Sequence, residues 1–220
     1  MTKIKEQATL QDLSDCPQVT KILTAHNIGY WKNPGGTDKQ KCEDIGIASD
    51  SHSYGPVYEY LLSNVNKKQK SCILEIGVQY GGSMLLWHDY CPNSFVIGVD
   101  IENRVHDKIK SSLKFDRHAL FIADAYSQEL INKIKDIARD GIDLMIDDGP
   151  HTLHSQCAFL RLYLPLLSAT GVAVIEDIQE PLWFERLEAE IPEGYVSERI
   201  DRRKVNGRWD DLMLVISKIA

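Results

Sequence analysis

The chain has 220 residues, 43% of them hydrophobic, and a formal net charge of -7, which suits one globular domain with a sizeable core. The acidic balance, with a pI near 5.5, argues against a nucleic-acid partner, since phosphate backbones call for a basic stripe. No apolar run reaches the ~18 residues of a membrane span, and residues 1–17 carry no apolar signal core, so the expectation is a cytoplasmic protein with no membrane partner.

In chain order, residues 1–50 read as an N-terminal extension or lid ahead of one domain over residues 51–220. Residues 10–25 hold a helix with Leu13, Val19, Ile22 and Leu23 roughly periodic. Residues 29–46 are polar and Gly-rich, with Asn33-Pro34-Gly35-Gly36 as a strong turn. Loops of this length are often lids or binding loops. Residues 54–65 read as a helix with Tyr54, Val57, Tyr58, Leu61 and Leu62 on one face. Tyr58 is expected to pack on the sheet, while His52 and Tyr54, just ahead of the helix, are better placed to reach a ligand.

Residues 73–87, ILEIGVQYGGSMLLW, read as buried strand, glycine turn and helix. Open α/β sheets bind nucleotide-like ligands where a strand delivers its carboxyl end into such a turn, and glycine lets the backbone approach closely. Further strands follow at 95–101, 120–123, 142–146 and 172–175, with helices at 127–139 and 152–167, the second capped by Thr152. This alternation implies right-handed βαβ units and a mostly parallel sheet. Residues 195–204 and 209–218 flank Asn206-Gly207, which predicts an antiparallel C-terminal hairpin. The five cysteines, Cys16, Cys42, Cys72, Cys91 and Cys157, are scattered without a CxxC spacing, so neither a disulfide framework nor a metal knuckle is expected.

Acidic residues gather at the strand ends. Glu75 lies inside the first strand, and Asp100, Asp124, Asp148 and Glu176-Asp177 follow the next four. Asp100 trails the glycine turn at about the 20-residue distance of a ribose-binding acid. A dinucleotide site would want GxGxxG. Here Gln79 stands where the middle glycine would be, and Glu75 would repel a pyrophosphate. A ligand carrying a sulfonium and an ammonium suits this surface better. Asp148 and Glu176-Asp177 are expected to converge from neighbouring strands ~4.8 Å apart, and crowded carboxylates call for a cation. Oxygen ligands favour Mg²⁺, with Mn²⁺ or Ca²⁺ as alternatives. Consecutive strand residues face opposite ways, so Asp147 is expected on the cofactor side. His151, at a helix start, is a candidate general base, and His154 reads as structural. His26, His88, His106 and His118 offer no companion worth an argument.

The segments LEIGVQYGGSMLLW, IGVDI, MIDDGPH and VIEDIQEPLW resemble the metal-dependent class I S-adenosylmethionine sugar O-methyltransferases, of the macrocin, mycinamicin and rhamnosyl O-methyltransferase type. The resemblance runs over residues 51–218, and His52-Ser53-Tyr54 looks like a His-x-Tyr element preceding that fold. It implies a Rossmann-like α/β fold with a seven-stranded, mostly parallel sheet and an antiparallel C-terminal hairpin. It implies Asp148, Glu176 and Asp177 as metal ligands, His151 as base, and Glu75, Gly77 and Asp100 at the cofactor, with Asp124 near the adenine. Tyr54, Gly82, Ser83 and Asp147 complete the expected cofactor set. Pro150 departs from the more usual Ser between the glycine and the histidine.

The expected function is methyl transfer from S-adenosylmethionine to a hydroxyl of a sugar or glycosylated natural product, aided by Mg²⁺ or Mn²⁺. The acceptor is a small molecule, and the N-terminal segment leaves room for a homo-oligomer. The same chemistry on a catechol-like acceptor is one alternative, and a nicotinamide-type oxidoreductase or a non-catalytic binding module is another. Trp183 and Phe184 could either stack on a sugar or anchor a helix. Arg202, Arg203 and Lys204 could either meet an anionic acceptor or form a solvated face.

Overall fold

The computed structural model describes residues 10–26, 53–113 and 115–219. The loop over residues 29–46, its Asn33-Pro34-Gly35-Gly36 turn, His52 and Cys42 lie outside the described residues, and with them most of the expected extension.

Seven strands form one sheet: β1 (Ser71–Ile76), β2 (Ser94–Asp100), β3 (His118–Ile122), β4 (Ile142–Asp147), β5 (Leu167–Ile175), β6 (Tyr195–Asp201) and β7 (Leu212–Lys218). Their order is β3-β2-β1-β4-β5-β7-β6. The first five pair in parallel, and β7 runs antiparallel to both β5 and β6. This is the mostly parallel α/β sheet with an antiparallel C-terminal pair that the sequence predicts. Every residue of β1 and β4 is buried, as expected of central parallel strands covered on both faces.

Side chains alternate along β1, which separates two cores. Ile73 packs with Tyr58, Leu62, Leu85 and Trp87, on the face covered by α1 (Pro17–Ala25), α2 (Gly55–Asn66) and α3 (Gly82–Tyr90). Leu74 and Ile76 pack with Ile131, Phe159 and Tyr163, on the face covered by the helices that follow β3 and β4. The remaining helices are α4 (Asp107–Ser112), α5 (Gln128–Ile137), α6 (Leu153–Tyr163), α7 (Trp183–Glu188) and α8 (Arg203–Asn206). Helices therefore sandwich the sheet. The strand order reverses between β1 and β4, which opens a crevice at their carboxyl ends.

Two departures from the predicted elements stand out. The helix expected over 152–167 ends at Tyr163, because Pro165 closes it into a 3₁₀ turn, Leu164–Leu166, and β5 begins at Leu167. Asn206-Gly207 does not turn the hairpin. It ends α8, with Gly207 left-handed at φ 75° as its C-cap, and residues 208–211 then lead back to β7. Among the described residues, no helix is long and apolar enough to cross a membrane.

Candidate active site

The loop after β1 forms a groove of about 410 Å³ with walls that include Gly77, Gln79, Asp100, Asp124, Tyr126 and Asp148. Gly77 has a φ of 91°, and a Cβ there would lie 1.9 Å from the main-chain oxygen of Asp148. Glycine is thus required by both conformation and space. The turn continues through Gln79 at φ 42° and Gly81 at φ 84°, the N-cap of α3.

Asp100 ends β2 on the opposite wall. Its Oδ2 accepts the N–H of Gln79 at 2.8 Å and its Oδ1 the N–H of Glu102 at 2.9 Å. These bonds fix the carboxylate while leaving acceptor capacity on each oxygen. Asp124 Oδ1 accepts the N–H of Tyr126 at 2.9 Å.

Other expected cofactor residues stand behind this wall. Glu75 is 2% exposed, and its Oε2 accepts the indole N–H of Trp87 at 2.8 Å. Burial pushes its carboxyl up to about 7, against the pull of hydrogen bonds from Ser83 and Trp87. Ser83 and Gly82 open α3, so they serve the turn and Glu75. Asp147 is buried under Tyr126, whose hydroxyl donates to its Oδ1 at 3.2 Å. Its Oδ2 has no partner among the described residues, and burial pushes this carboxyl too up to about 7.

Next to the groove lies a cluster of acids. Asp148, His151 and Asp177 bring one ligand atom each within 4.8 Å of one another. His151 Nε2 is 3.5 Å from Asp148 Oδ1, and its Nδ1 is 3.3 Å from Asp177 Oδ2. His151 and Asp177 both adopt left-handed backbone, at φ 53° and 50°, a strain that non-glycine residues usually carry at functional sites. β5 ends at Ile175, so Glu176 and Asp177 lie just beyond the strand, with the left-handed turn at Asp177.

Glu176 is buried beside the cluster, with its Oε1 accepting from the Tyr58 hydroxyl and its main-chain oxygen from Gln156 Nε2 at 3.0 Å. It stands outside the set of mutually close ligand atoms, and His151 stands within it. Tyr54, expected at the cofactor, is fully buried and sits instead on Asp177, its hydroxyl 2.9 Å from Oδ1 and 3.1 Å from the main-chain oxygen of Asp210.

Burial first, then mutual repulsion, raises the Asp148 and Glu176 carboxyls well above the usual range. For His151, burial opposes the charge, but the adjoining Asp177 carboxylate together with Asp147 and Asp210 raises the imidazole pKa. Buried carboxylates that resist ionisation, beside an imidazole, form a donor set that fits a hard divalent cation.

Sequence reasoning missed the tyrosine hydroxyls. Tyr58 does pack, its ring centroid 4.9 Å from that of Trp87, but its hydroxyl holds Glu176. The four-residue spacing of Tyr54 and Tyr58 on one helix face was the available signal. Trp183 and Phe184 belong to the core, Phe184 under the Arg199 guanidinium, and His154 is exposed. Arg202 is buried at 4% exposure and is not a solvated strand residue. His26 and His88 do have companions: Asp89 pairs with both, and Arg117 bonds His88.

Residues 58–181 match the family model described as rhamnosyl O-methyltransferase/CmcI. Over 140 residues the chain is 31% identical to 8-demethyl-8-alpha-L-rhamnosyl tetracenomycin-C 2'-O-methyltransferase of Streptomyces olivaceus, covering 60% of this chain and 35% of that one. It is 29% identical over 142 residues to mycinamicin VI 2''-O-methyltransferase of Micromonospora griseorubida, covering 60% and 33%. The chain thus spans about a third of the length of these relatives. In fold it is similar to MycE methyltransferase of the mycinamycin pathway, solved with Mg and SAH, at a TM-score of 0.60 and 18% identity, covering 93% of this chain and 55% of that one. It is also similar to the O-methyltransferase TomG of Streptomyces achromogenes, at a TM-score of 0.59 and 13% identity, covering 95% and 92%.

Proposed function

The chain belongs to the rhamnosyl O-methyltransferase/CmcI family, and from that premise we propose that it transfers the methyl group of S-adenosylmethionine to a hydroxyl of a sugar or glycosylated small molecule, with Mg²⁺ at the acidic cluster. One observation carries the reading. Asp148 lines the groove and is also a member of the cluster, so a methyl donor in the groove and an acceptor at the cluster would meet.

In this reading Asp100 accepts hydrogen bonds from the ribose hydroxyls. Gly77 lets the donor lie against the β1 turn, and Asp124 and Tyr126 border its adenine. Glu75 and Asp147 lie behind the wall with carboxyls raised to about 7, and a cationic donor beside them would favour their ionised forms. Asp148, Asp177 and Glu176 would hold the cation, Glu176 by exchanging its Tyr58 bond. A divalent cation there supplies the charge that lowers the pKa of an acceptor hydroxyl. His151 takes the hydroxyl proton, and Asp177 stabilises the imidazolium that results. Holding donor and acceptor in line supplies much of the remaining rate.

The test is calorimetric titration of the protein with S-adenosylhomocysteine and, separately, NAD⁺, followed by a transfer assay on a panel of glycosides with and without Mg²⁺. The expected result is selective binding of S-adenosylhomocysteine and Mg²⁺-dependent methylation, slowed about 10²–10⁴-fold in His151→Ala. Folded protein that binds neither S-adenosylhomocysteine nor S-adenosylmethionine would sink the proposal.

A further inference from the structure

Asp177 is gripped by one residue at two points. The Tyr54 hydroxyl lies 2.9 Å from its Oδ1, and the main-chain N–H of Asp177 points at the same phenol oxygen at 3.4 Å. Tyr54 is fully buried and belongs to the core that includes Val57, Leu61 and Ile73. Pro56 stands in the first turn of α2, where its fixed φ suits the helix start, so the ring cannot swing away cheaply. Asp177 itself is held in left-handed backbone. Its other oxygen, Oδ2, faces His151.

We infer that Tyr54 is a positioning residue that keeps Asp177 a one-oxygen ligand and thereby makes the cluster select Mg²⁺ over Ca²⁺. The inference rests on the proposal that this cluster binds a divalent cation. Mg²⁺ demands a compact octahedron and takes carboxylates through single oxygens, whereas Ca²⁺ takes more oxygens and accepts two-oxygen carboxylates. A hydrogen bond from a phenol to a carboxylate is of the stronger, charge-assisted kind. That bond, from a phenol fixed in the core, orients the carboxylate with Oδ2 toward the cluster and disfavours the two-oxygen mode at Asp177. Partners that orient a ligand typically change metal affinity about 10–100-fold when lost. Tyr54→Phe keeps the ring in the core and removes only the hydroxyl, which frees Oδ1 to reach the ion.

The experiment titrates the chelator-stripped 220-residue protein with MgCl₂ and with CaCl₂ by calorimetry, for the wild type and Tyr54→Phe. S-adenosylhomocysteine binding serves as the check of fold. The expected result is a wild type that prefers Mg²⁺ and a variant whose Mg²⁺ Kd rises about 10–100-fold while its Ca²⁺ Kd holds or falls. A folded variant with an unchanged Mg²⁺:Ca²⁺ ratio overturns the inference. So does a wild type that binds Ca²⁺ as tightly as Mg²⁺, an outcome that needs no variant to fold. A wild type that binds neither ion removes the metal reading, and this inference with it.

Discussion

Glu75 shows what one residue costs the fold. It sits on a central strand with its Oε2 on the Trp87 indole, and burial pushes its carboxyl up to about 7. An unfolded glutamate titrates near 4.3. The folded state therefore binds its proton more tightly, and this contribution is complete below the unfolded value and lost as pH rises through 7. Between about pH 4.5 and 8 the loss comes to about 3 kcal/mol. Glu75→Gln should remove that slope, so its stability relative to wild type rises by that amount across the interval in urea titrations of the apoprotein. Parallel pH profiles would show that Glu75 is not the source. Residues of this kind were legible in the sequence where backbone chemistry forces the type. Gly77 is the one residue its turn admits, and Asp100, expected beside that turn, does bond it through the Gln79 N–H. The hydroxyls of Tyr54 and Tyr58 were not legible, because periodicity assigns a face and says nothing of where a phenol ends.

At the scale of elements, the connection between β6 and β7 holds the lesson. The dipeptide Asn206-Gly207 carries a strong turn signal, and it does end an element, but that element is α8. The longer connection carries the buried Arg202, Asp210 and Asp211 beside Ser53 and Tyr54. Arg202 donates through Nε to Ser53 Oγ at 3.1 Å and through Nη1 to the main-chain oxygen of Leu13 at 3.0 Å. Ser53 Oγ in turn donates to Asp211 Oδ2 at 2.9 Å. One guanidinium thus ties the chain ahead of α1 to the segment that delivers Tyr54. Such a tie spans more than 140 positions in sequence, beyond the reach of any local pattern, and so a charged run near a turn read as solvated. Arg202→Met strands these buried acceptors and should destabilise the protein by about 2–4 kcal/mol, seen as a lower urea midpoint at unchanged slope. A change within about 0.5 kcal/mol, the range of ordinary surface substitutions, would contradict the arrangement. The capping of α6, by contrast, was legible. Thr152 Oγ1 accepts the N–H of Ser155 at 3.1 Å, as its place before an apolar run predicts.

At the scale of the molecule, seven strands in the order β3-β2-β1-β4-β5-β7-β6 put the reversal of strand order between β1 and β4. The acids the sequence placed at successive strand ends divide there. Asp100 and Asp124 line the groove on the β1 side, and Asp177 and Glu176 lie with the cluster beyond β4. The division arises from the order of the strands in space, which the one-dimensional pattern does not contain.

Gly77 meets the main-chain oxygen of Asp148 so closely that no methyl group fits between them. The wall of the groove and the base of the acidic cluster are therefore one contact. Whatever settles against Gly77 sets how far Asp148 can relax, and the reverse holds equally. Two ligands that share a boundary have a coupling free energy, and thermodynamics makes it the same from either side. Mg²⁺ should alter the Kd of S-adenosylhomocysteine by some factor, and S-adenosylhomocysteine should alter the Kd of Mg²⁺ by that same factor. Paired calorimetric titrations measure both. If the proposed sites are occupied as inferred, a factor different from one would mean that each ligand senses the other across the shared wall, and a factor of one would mean that the wall is rigid.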